Sequence, residues 1–509
     1  MTRFVPFILA VCIILPAQAM AGSFANTHGF SAKGIAMGNA MTAVVHDWSS
    51  VYYNISGLGK TKGIEAPVQA KTGSLTIAKL QNKVLAEKTV AGSTAGETPE
   101  NPINELAVTF MYTYPVFNID IDRRNPIDDA PLDTKAADQL NYGMMIIGIA
   151  LDINKIVRMP DFISSARFGL GLGTPADGKA TKVNDIDLRT HNWLGYGREA
   201  QVATIIAGMG FGFLNDMFGV GVGAQISFHG EGAVMVTGVE VGPANQTPPS
   251  QSRMDLATVP SIVAGLYFKP EKLAPKLKGL EVGVAYRQES FMKIYPFSTG
   301  TELMVGGSKM ALAMCIYDYY VPHTVSAGIA YTRWKATISL DAEYQMWSLY
   351  EYSPTVETVY EVMATDRDKD DADAWKLPKF KNIIVPKVGI AYDLLNSLTM
   401  MAGYSFRPSF LDDADTGGYV NFLDNVTHTG SLGARYRVPR WSRLGGDVEL
   451  TLGFQCQYLM ERKVVKTGSA AEVDTVGLDA GPNTNYSLNP DYTYGGINYL
   501  AILEAKMLL

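Results

Sequence analysis

The chain has 509 residues, 47% hydrophobic and 18% charged, with 49 glycines and 26 tyrosines; soluble domains carry about 25% charged residues. A net charge of −7 offers a polyanion no attraction, which excludes nucleic acid as a partner. No uninterrupted apolar run of about 18 or more residues follows the N-terminal region, which excludes a bundle of membrane-spanning helices.

The first residues, MTRFVPFILAVCIILPAQAMA, place Arg3 before an apolar stretch from Phe4 to Leu15 and small residues up to Ala19 and Ala21. That is the layout of a secretory signal peptide, expected over residues 1–21. Export, abundant glycine and tyrosine, and no apolar helix together fit an outer-membrane β-barrel. Cys12 leaves with the signal, and Cys315 and Cys456 are expected as free thiols.

Residues 22–60 come next and contain GFSAKGIAMGNAMTAVVHDWSSVYYNISGLGK (29–60), rich in Gly, Ala and Ser and poor in charge. Phe24, Phe30, Ile35, Met37, Val44, Val45, Trp48, Tyr52 and Tyr53 give it too much apolar surface for a disordered tail. A barrel much wider than about eight strands leaves a lumen its own side chains do not fill, so this segment is expected inside it as a plug. Gly34 and Gly38 allow the backbone to approach a wall closely.

Beyond it, alternation dominates. In 336–346 the residues Ala336, Ile338, Leu340, Ala342, Tyr344 and Met346 interleave with Thr337, Ser339, Asp341, Glu343 and Gln345, one greasy face and one wet face. Strands are expected near 140–152, 166–174, 200–213, 217–229, 256–269, 279–290, 322–332, 335–349, 382–394, 396–408, 426–438, 444–463 and 490–507. Residues 64–80 and 104–118 read as one interrupted strand or as two. Segments of about 10–14 residues match the span of a tilted transmembrane strand, and the connections alternate between short and long. The expected fold is all-β, a transmembrane antiparallel barrel of about 14 strands over 61–509, with 22–60 in its lumen.

The inferred lumen face is mostly small residues, with Ala330, Ala391, Met401, Leu459, Leu500 and Ile502 intruding on it. Arg287, Arg435 and Arg437 lie on that face and either meet a ligand carboxylate or pair with an acid such as Asp47. Phe24 and Phe30 either touch ligand or pack on the wall. The clusters YDYY (317–320), YEY (350–352) and YTY (492–494) read as an interfacial girdle. Asp366–Asp373 begins like a calcium loop but has Asp371 where glycine and Leu377 where glutamate is needed, so no metal site is expected. The histidines are scattered and no nucleophile motif occurs, so neither a catalytic residue nor a cofactor is expected.

SAKGIAMGNAMTAVVHDWSSVYYNISGL resembles the N-terminal hatch of the FadL family of outer-membrane transporters for long-chain fatty acids and other hydrophobic compounds. Gly34, Gly38, Ala40, Ala43, Asp47, Ser50, Tyr52, Tyr53, Asn54, Gly57 and Leu58 fall on the family pattern. The departure is NIS where the family usually has NPA: Ile55 stands in place of proline. GVAYRQE, VPHTVSAGIAY, DAEYQMWS, AGYSFRPS and THTGSLGARY follow in order and resemble successive family strands. The chain ends on Leu509 where such barrels usually end on an aromatic residue.

The resemblance implies passive passage of a fatty acid or hydrocarbon through a hatch-gated barrel, with release through hatch movement and a gap beside a kinked strand. Phe24, Phe30, Arg287 and Met401 are the expected ligand contacts, and Gly34, Gly38, Asp47, Tyr53, Asn54, Gly57 and Leu58 the expected hatch and gate residues. The expected surroundings are the lipid bilayer and lipopolysaccharide, with the protein a monomer. Two other readings stay open from the residues themselves: a structural or adhesion barrel without a transport path, and a general diffusion porin.

Overall fold

The computed structural model describes residues 24–61, 104–121, 141–160, 162–177, 191–196, 203–235, 239–241, 251–292, 294–295, 301–305, 308–312, 319–350, 378–412, 416–418, 421–438, 447–467 and 490–509. Fourteen antiparallel strands build the wall: β1 (Glu105–Ile121), β2 (Tyr142–Asp152), β3 (Ile163–Pro175), β4 (Thr204–Phe213), β5 (Phe218–Met235), β6 (Gln251–Phe268) and β7 (Leu280–Arg287). The second half follows as β8 (Thr324–Arg333), β9 (Ala336–Gln345), β10 (Ile383–Leu395), β11 (Leu398–Arg407), β12 (Thr427–Val438), β13 (Asp447–Val464) and β14 (Tyr492–Leu508). Each pairs with its neighbour in sequence, and β14 pairs with β1 from Ile121↔Tyr492 to Glu105↔Leu508. The sheet is therefore a closed ring with no exposed edge.

Closure settles the region the pattern left ambiguous. One strand, Glu105–Ile121, meets the C-terminal strand directly, so the ring is complete without 64–80. Residues 64–80, the signal peptide 1–21, the calcium-like 366–373 and Cys315 lie outside the described residues. Cys456 is a free, half-buried thiol.

Parity separates the two faces. On β1, Val108, Phe110, Tyr112, Tyr114 and Val116 are exposed outward, while Ala107, Thr109, Met111 and Thr113 are buried inward. On β13, Leu450, Leu452, Phe454 and Tyr458 face out and Thr451, Gln455 and Gln457 face in. A closed ladder that satisfies its own backbone and wears an apolar belt is the β-architecture a bilayer tolerates, here of outer-membrane type. Among the described residues no helix is long and apolar enough to cross a membrane.

The short connections after β2, β4, β6, β8, β10 and β12 share one end of the barrel with the start of β1 and the C-terminus; this is the turn end. The long connections share the loop end. There, Asn192–Trp193 pairs in parallel with Phe422–Leu423 and lies inside the mouth against Phe117, Tyr196, Tyr492 and Tyr494. Tyr492 and Tyr494, read above as girdle residues, are thus buried inside, and the Tyr494 hydroxyl donates to the Asp424 carbonyl at 3.0 Å. They share the parity of Leu500 and Ile502, which outweighs the usual preference of tyrosine for the interface.

Candidate functional site

Residues 24–61 fill the lumen as a string of very short elements: α1 (Phe24–Thr27), α2 (Ala32–Ala36), α3 (Ser50–Tyr53) and a 3-10 turn over Ile55–Gly59. Turns this short do not hold themselves together in water; the wall supplies their partners. Gln455 and Gln457 of β13 donate to the carbonyls of His28 and Thr27, and Glu504 of β14 accepts from the Ala32 amide at 3.3 Å. Asp341 of β9 accepts from the Thr42 amide at 2.7 Å, and Glu105 of β1 from the Trp48 amide at 2.8 Å. These contacts come from β1, β9, β13 and β14, so the segment is tied to several strands of the ring.

Asn54 answers the question raised by Ile55. Its side-chain oxygen accepts from the Ser56 amide (3.2 Å) and hydroxyl (2.7 Å), while its nitrogen donates to the carbonyls of Thr42 and Leu266. The turn a proline would stiffen is held here by hydrogen bonds, and Ile55 presses instead against the bare backbone of Gly208 and Gly223.

The wall is shaped to receive this chain. Its inward parity carries Gly169, Gly171 and Gly173 on β3, and Gly208, Gly210 and Gly212 on β4. A Cβ added at Gly169 would stand 2.6 Å from Val51, one at Gly171 2.6 Å from Phe30, and one at Gly173 2.7 Å from Phe24. Gly38, at φ +61, abuts Tyr404 and Gly403 of β11 backbone to backbone.

The expected hatch residues all lie in this packing. Gly34 sits under the Tyr53 hydroxyl, which accepts from the Phe30 amide and donates to Asn39. Gly57 lies against the Val45 carbonyl, and Leu58 is buried against Gly169. Asp47 accepts from the Ser49 hydroxyl at 2.6 Å and faces Lys506 of β14 at 3.5 Å. Its partner in the wall is this lysine, which Glu449 also holds at 2.8 Å.

The four expected ligand contacts are not gathered into one pocket. Phe24 and Phe30 are fully buried in an aromatic cluster whose ring centroids lie 6.2 Å apart between themselves, with Phe30 5.2 Å from Tyr52 and 5.8 Å from Trp48. Arg287 binds the segment itself: it donates to Asn26 (2.8 Å) and the Tyr52 carbonyl (3.1 Å), with its guanidinium 4.0 Å from the Tyr52 ring centroid. Met401 lines a cavity of about 710 Å³ at the turn end, together with Lys33, Met37, Val44, His46, Ala391 and Arg435. The segment separates the aromatic cluster from that cavity.

Sequence reasoning missed the strongest holdfast. Arg167 of β3 is fully buried and donates to the carbonyls of Leu58 (2.7 Å), His46 (2.5 Å), Gly57 (3.3 Å) and Lys60 (3.4 Å), with Glu105 at 3.7 Å. Lys60 reaches the Ala43 carbonyl and Glu281, and Asp216 accepts from the Thr61 amide, Tyr267 and Lys269. The only prior signal was the glycine stripe beside Arg167, since period-2 glycines on an inward face announce a backbone packed against them.

Two histidines, His28 buried and His46 half-buried at the cavity, make the docking of this segment acid-sensitive. Burial pushes the His28 imidazole down to about 3, against a hydrogen bond with Gln455, and its Nε2 lies 2.8 Å from the Tyr142 hydroxyl. Burial, reinforced by Lys33, also holds His46 well below its ordinary value. Both are neutral when docked, whereas a released imidazole takes a proton near pH 6.5. Docking is therefore strongest above about pH 6.5 and weakens as pH falls below it. Burial would raise Asp47, but Lys506 and Lys33 hold its carboxyl well below the usual range; its contribution is present above about pH 4 and lost only below. A nitroxide at Val44→Cys, with Cys456→Ser, should thus become more mobile at pH 5 than at pH 7.5. His28 alone shifts docking by roughly 30-fold there, and His28→Gln with His46→Gln should flatten the response.

No family model matches the chain. Over 153 residues it is 26% identical to alkane uptake protein A of Marinobacter nauticus, a stretch that is 30% of this chain and spans about a third (32%) of that protein. A FadL homologue of Pseudomonas aeruginosa of known structure matches with a TM-score of 0.51, over 94% of this chain and 98% of that chain, at 14% identity. The chain has the FadL fold. The toluene transporter TbuX of Ralstonia pickettii is also similar, with a TM-score of 0.43 and 10% identity over 95% of this chain and 99% of that one. On this FadL-type barrel the clamps described above, Arg167 foremost, belong to the residues of this chain.

Proposed function

We propose that the protein is a passive outer-membrane carrier of hydrophobic small molecules, long-chain fatty acids or hydrocarbons, with residues 22–60 as a hatch in the lumen of the barrel 61–509. The observation that carries the reading is the lumen itself: a closed ring filled by a segment whose buried face is aromatic and aliphatic, where a general porin keeps an open, charged, watery channel. An apolar solute gains about 25 cal/mol per Å² on leaving water, so such a lining selects by hydrophobicity without energy coupling. Phe24 and Phe30 would meet ligand from the loop end, with Arg287 beside them, and Met401 after passage. Gly34, Gly38, Asp47, Tyr53, Asn54, Gly57 and Leu58 would set how the hatch seats. The similarity to alkane uptake protein A supports alkanes among the ligands.

The wall offers a seam for release. β6 and β7 share six residue pairs, from Val263↔Arg287 to Phe268↔Val282, fewer than the ~9–11 residues a strand needs to cross the bilayer. Inside that seam lie Tyr52, Tyr53, Asn54 and Ile55 of the hatch. The test is uptake of labelled oleate, hexadecane and toluene by cells whose only such carrier is this protein, beside a form lacking residues 22–53. Uptake of any of these that changes with the deletion is the expected result and names the ligand class. A correctly inserted barrel with no uptake of all three would overturn the proposal in favour of a structural barrel.

A further inference from the structure

The turn end also carries an exposed rim, whose β6–β7 connection lines the cavity through Glu271, Pro275 and Lys278. The β2–β3 connection exposes Ile156 (76%) and Val157 between Lys155 and Arg158. The β6–β7 connection exposes Leu273 (70%) and Leu277 beside Lys276 and Lys278. The β8–β9 turn is Trp334–Lys335, with the indole 87% exposed and the Arg333 guanidinium 4.6 Å from its ring centroid. Between them, the β4–β5 turn exposes Leu214 and buries its acid, Asp216. Among the described residues of these four turns the fully exposed charges are positive and the half-exposed Glu271 is the one accessible acid, in a chain whose net charge is −7.

Trp334 adds an independent observation. It holds φ +55 as the first residue of a two-residue hairpin turn, the position where glycine is at ease and a bulky side chain is strained. Nothing inside the barrel gains from a strained, solvent-facing indole. At a membrane interface the same side chain is well placed, since indole partitions to the headgroup level.

We infer that this turn rim is a binding surface for anionic phospholipid headgroups. The apolar tips enter the boundary between headgroups and acyl chains, and Lys155, Arg158, Lys276, Lys278, Arg333 and Lys335 reach along their stems to the phosphates. A lipid surface, in preference to a soluble acidic protein, follows from continuity: the tips extend the outward apolar face of the strands they join, through Tyr331 and Ile338 on β8 and β9.

The test uses the full-length protein in nanodiscs of phosphatidylcholine with a minority of phosphatidylglycerol. The wild type should retain phosphatidylglycerol above its bulk fraction, by about fivefold for each cation that reaches the headgroups. The variant K276Q/K278Q/R333Q/K335Q, its barrel checked by heat-modifiable gel mobility, should lose that enrichment. The emission lost in W334F should be quenched in the wild type by lipids brominated near the headgroup. Bulk lipid composition around the wild type, enrichment retained by the fourfold variant, or Trp334 emission quenched by aqueous iodide and not by brominated lipid would each overturn the inference. The last result would assign the rim to a water-borne partner.

Discussion

Gly212→Val is expected to unseat residues 54–61 while leaving the barrel folded. A Cβ at this position of β4 would stand 2.1 Å from the carbonyl oxygen of Gly59 and 2.9 Å from the Tyr267 hydroxyl. The nearest clash is with backbone, so no rotamer change relieves it. Overpacking of this kind costs about 1–3 kcal/mol, enough to shift the docking equilibrium by roughly 5- to 150-fold. The same move breaks the bonds that Ser165 and Tyr267 make to the Gly59 carbonyl. Hydrogen exchange of amides 54–61 should accelerate, while protection of β1 and β14 and heat-modifiable mobility stay as in the wild type. Gly430→Val is the control, because nothing lies within 4 Å of a Cβ there. Equal protection of 54–61 in the two variants would refute the tight seat.

Arg167→Met should have a comparable or larger effect by another route. The guanidinium gathers four main-chain carbonyls from His46, Gly57, Leu58 and Lys60 and stands 3.7 Å from Glu105, all out of water. Removing one member of a buried charged pair costs about 3–5 kcal/mol, because its partner stays buried and the acceptors lose their donor. The expected result is fast exchange over 46–61 and a lower Tm for release of the lumen segment, read in the same detergent. Arg167→Lys should fall between the two, since one compact ammonium cannot span acceptors arranged for a planar fork. A methionine variant with wild-type exchange would mean that wall packing, not the clamp, holds the segment.

These two residues mark the limit of what pattern reading reaches. Strands were legible wherever one face meets lipid and the other the lumen, because a period of two exposes that difference residue by residue. It failed to decide 64–80 against 104–118, since the answer lies in which strand the C-terminus pairs with, a contact between opposite ends of the chain. For YTY parity overrides the interfacial preference of tyrosine and puts Tyr492 and Tyr494 on the side of Leu500.

For the lumen segment, composition alone argued for burial: a nearly uncharged run of small and aromatic residues has no stable place in water. Its resemblance to a hatch carried Gly34, Gly38, Tyr53, Asn54, Gly57 and Leu58, all of which lie in its packing. The partners could not be foreseen. Arg287 binds Asn26 and Tyr52, and Asp47 faces Lys506. Sequence determined the closed, two-faced wall and the character of what fills it, because both follow from local periodicity and composition. Which arginine clamps, which glycine yields room and where the cavity opens were decided only by tertiary structure, because they depend on the angle at which a short irregular segment meets strands far from it along the chain.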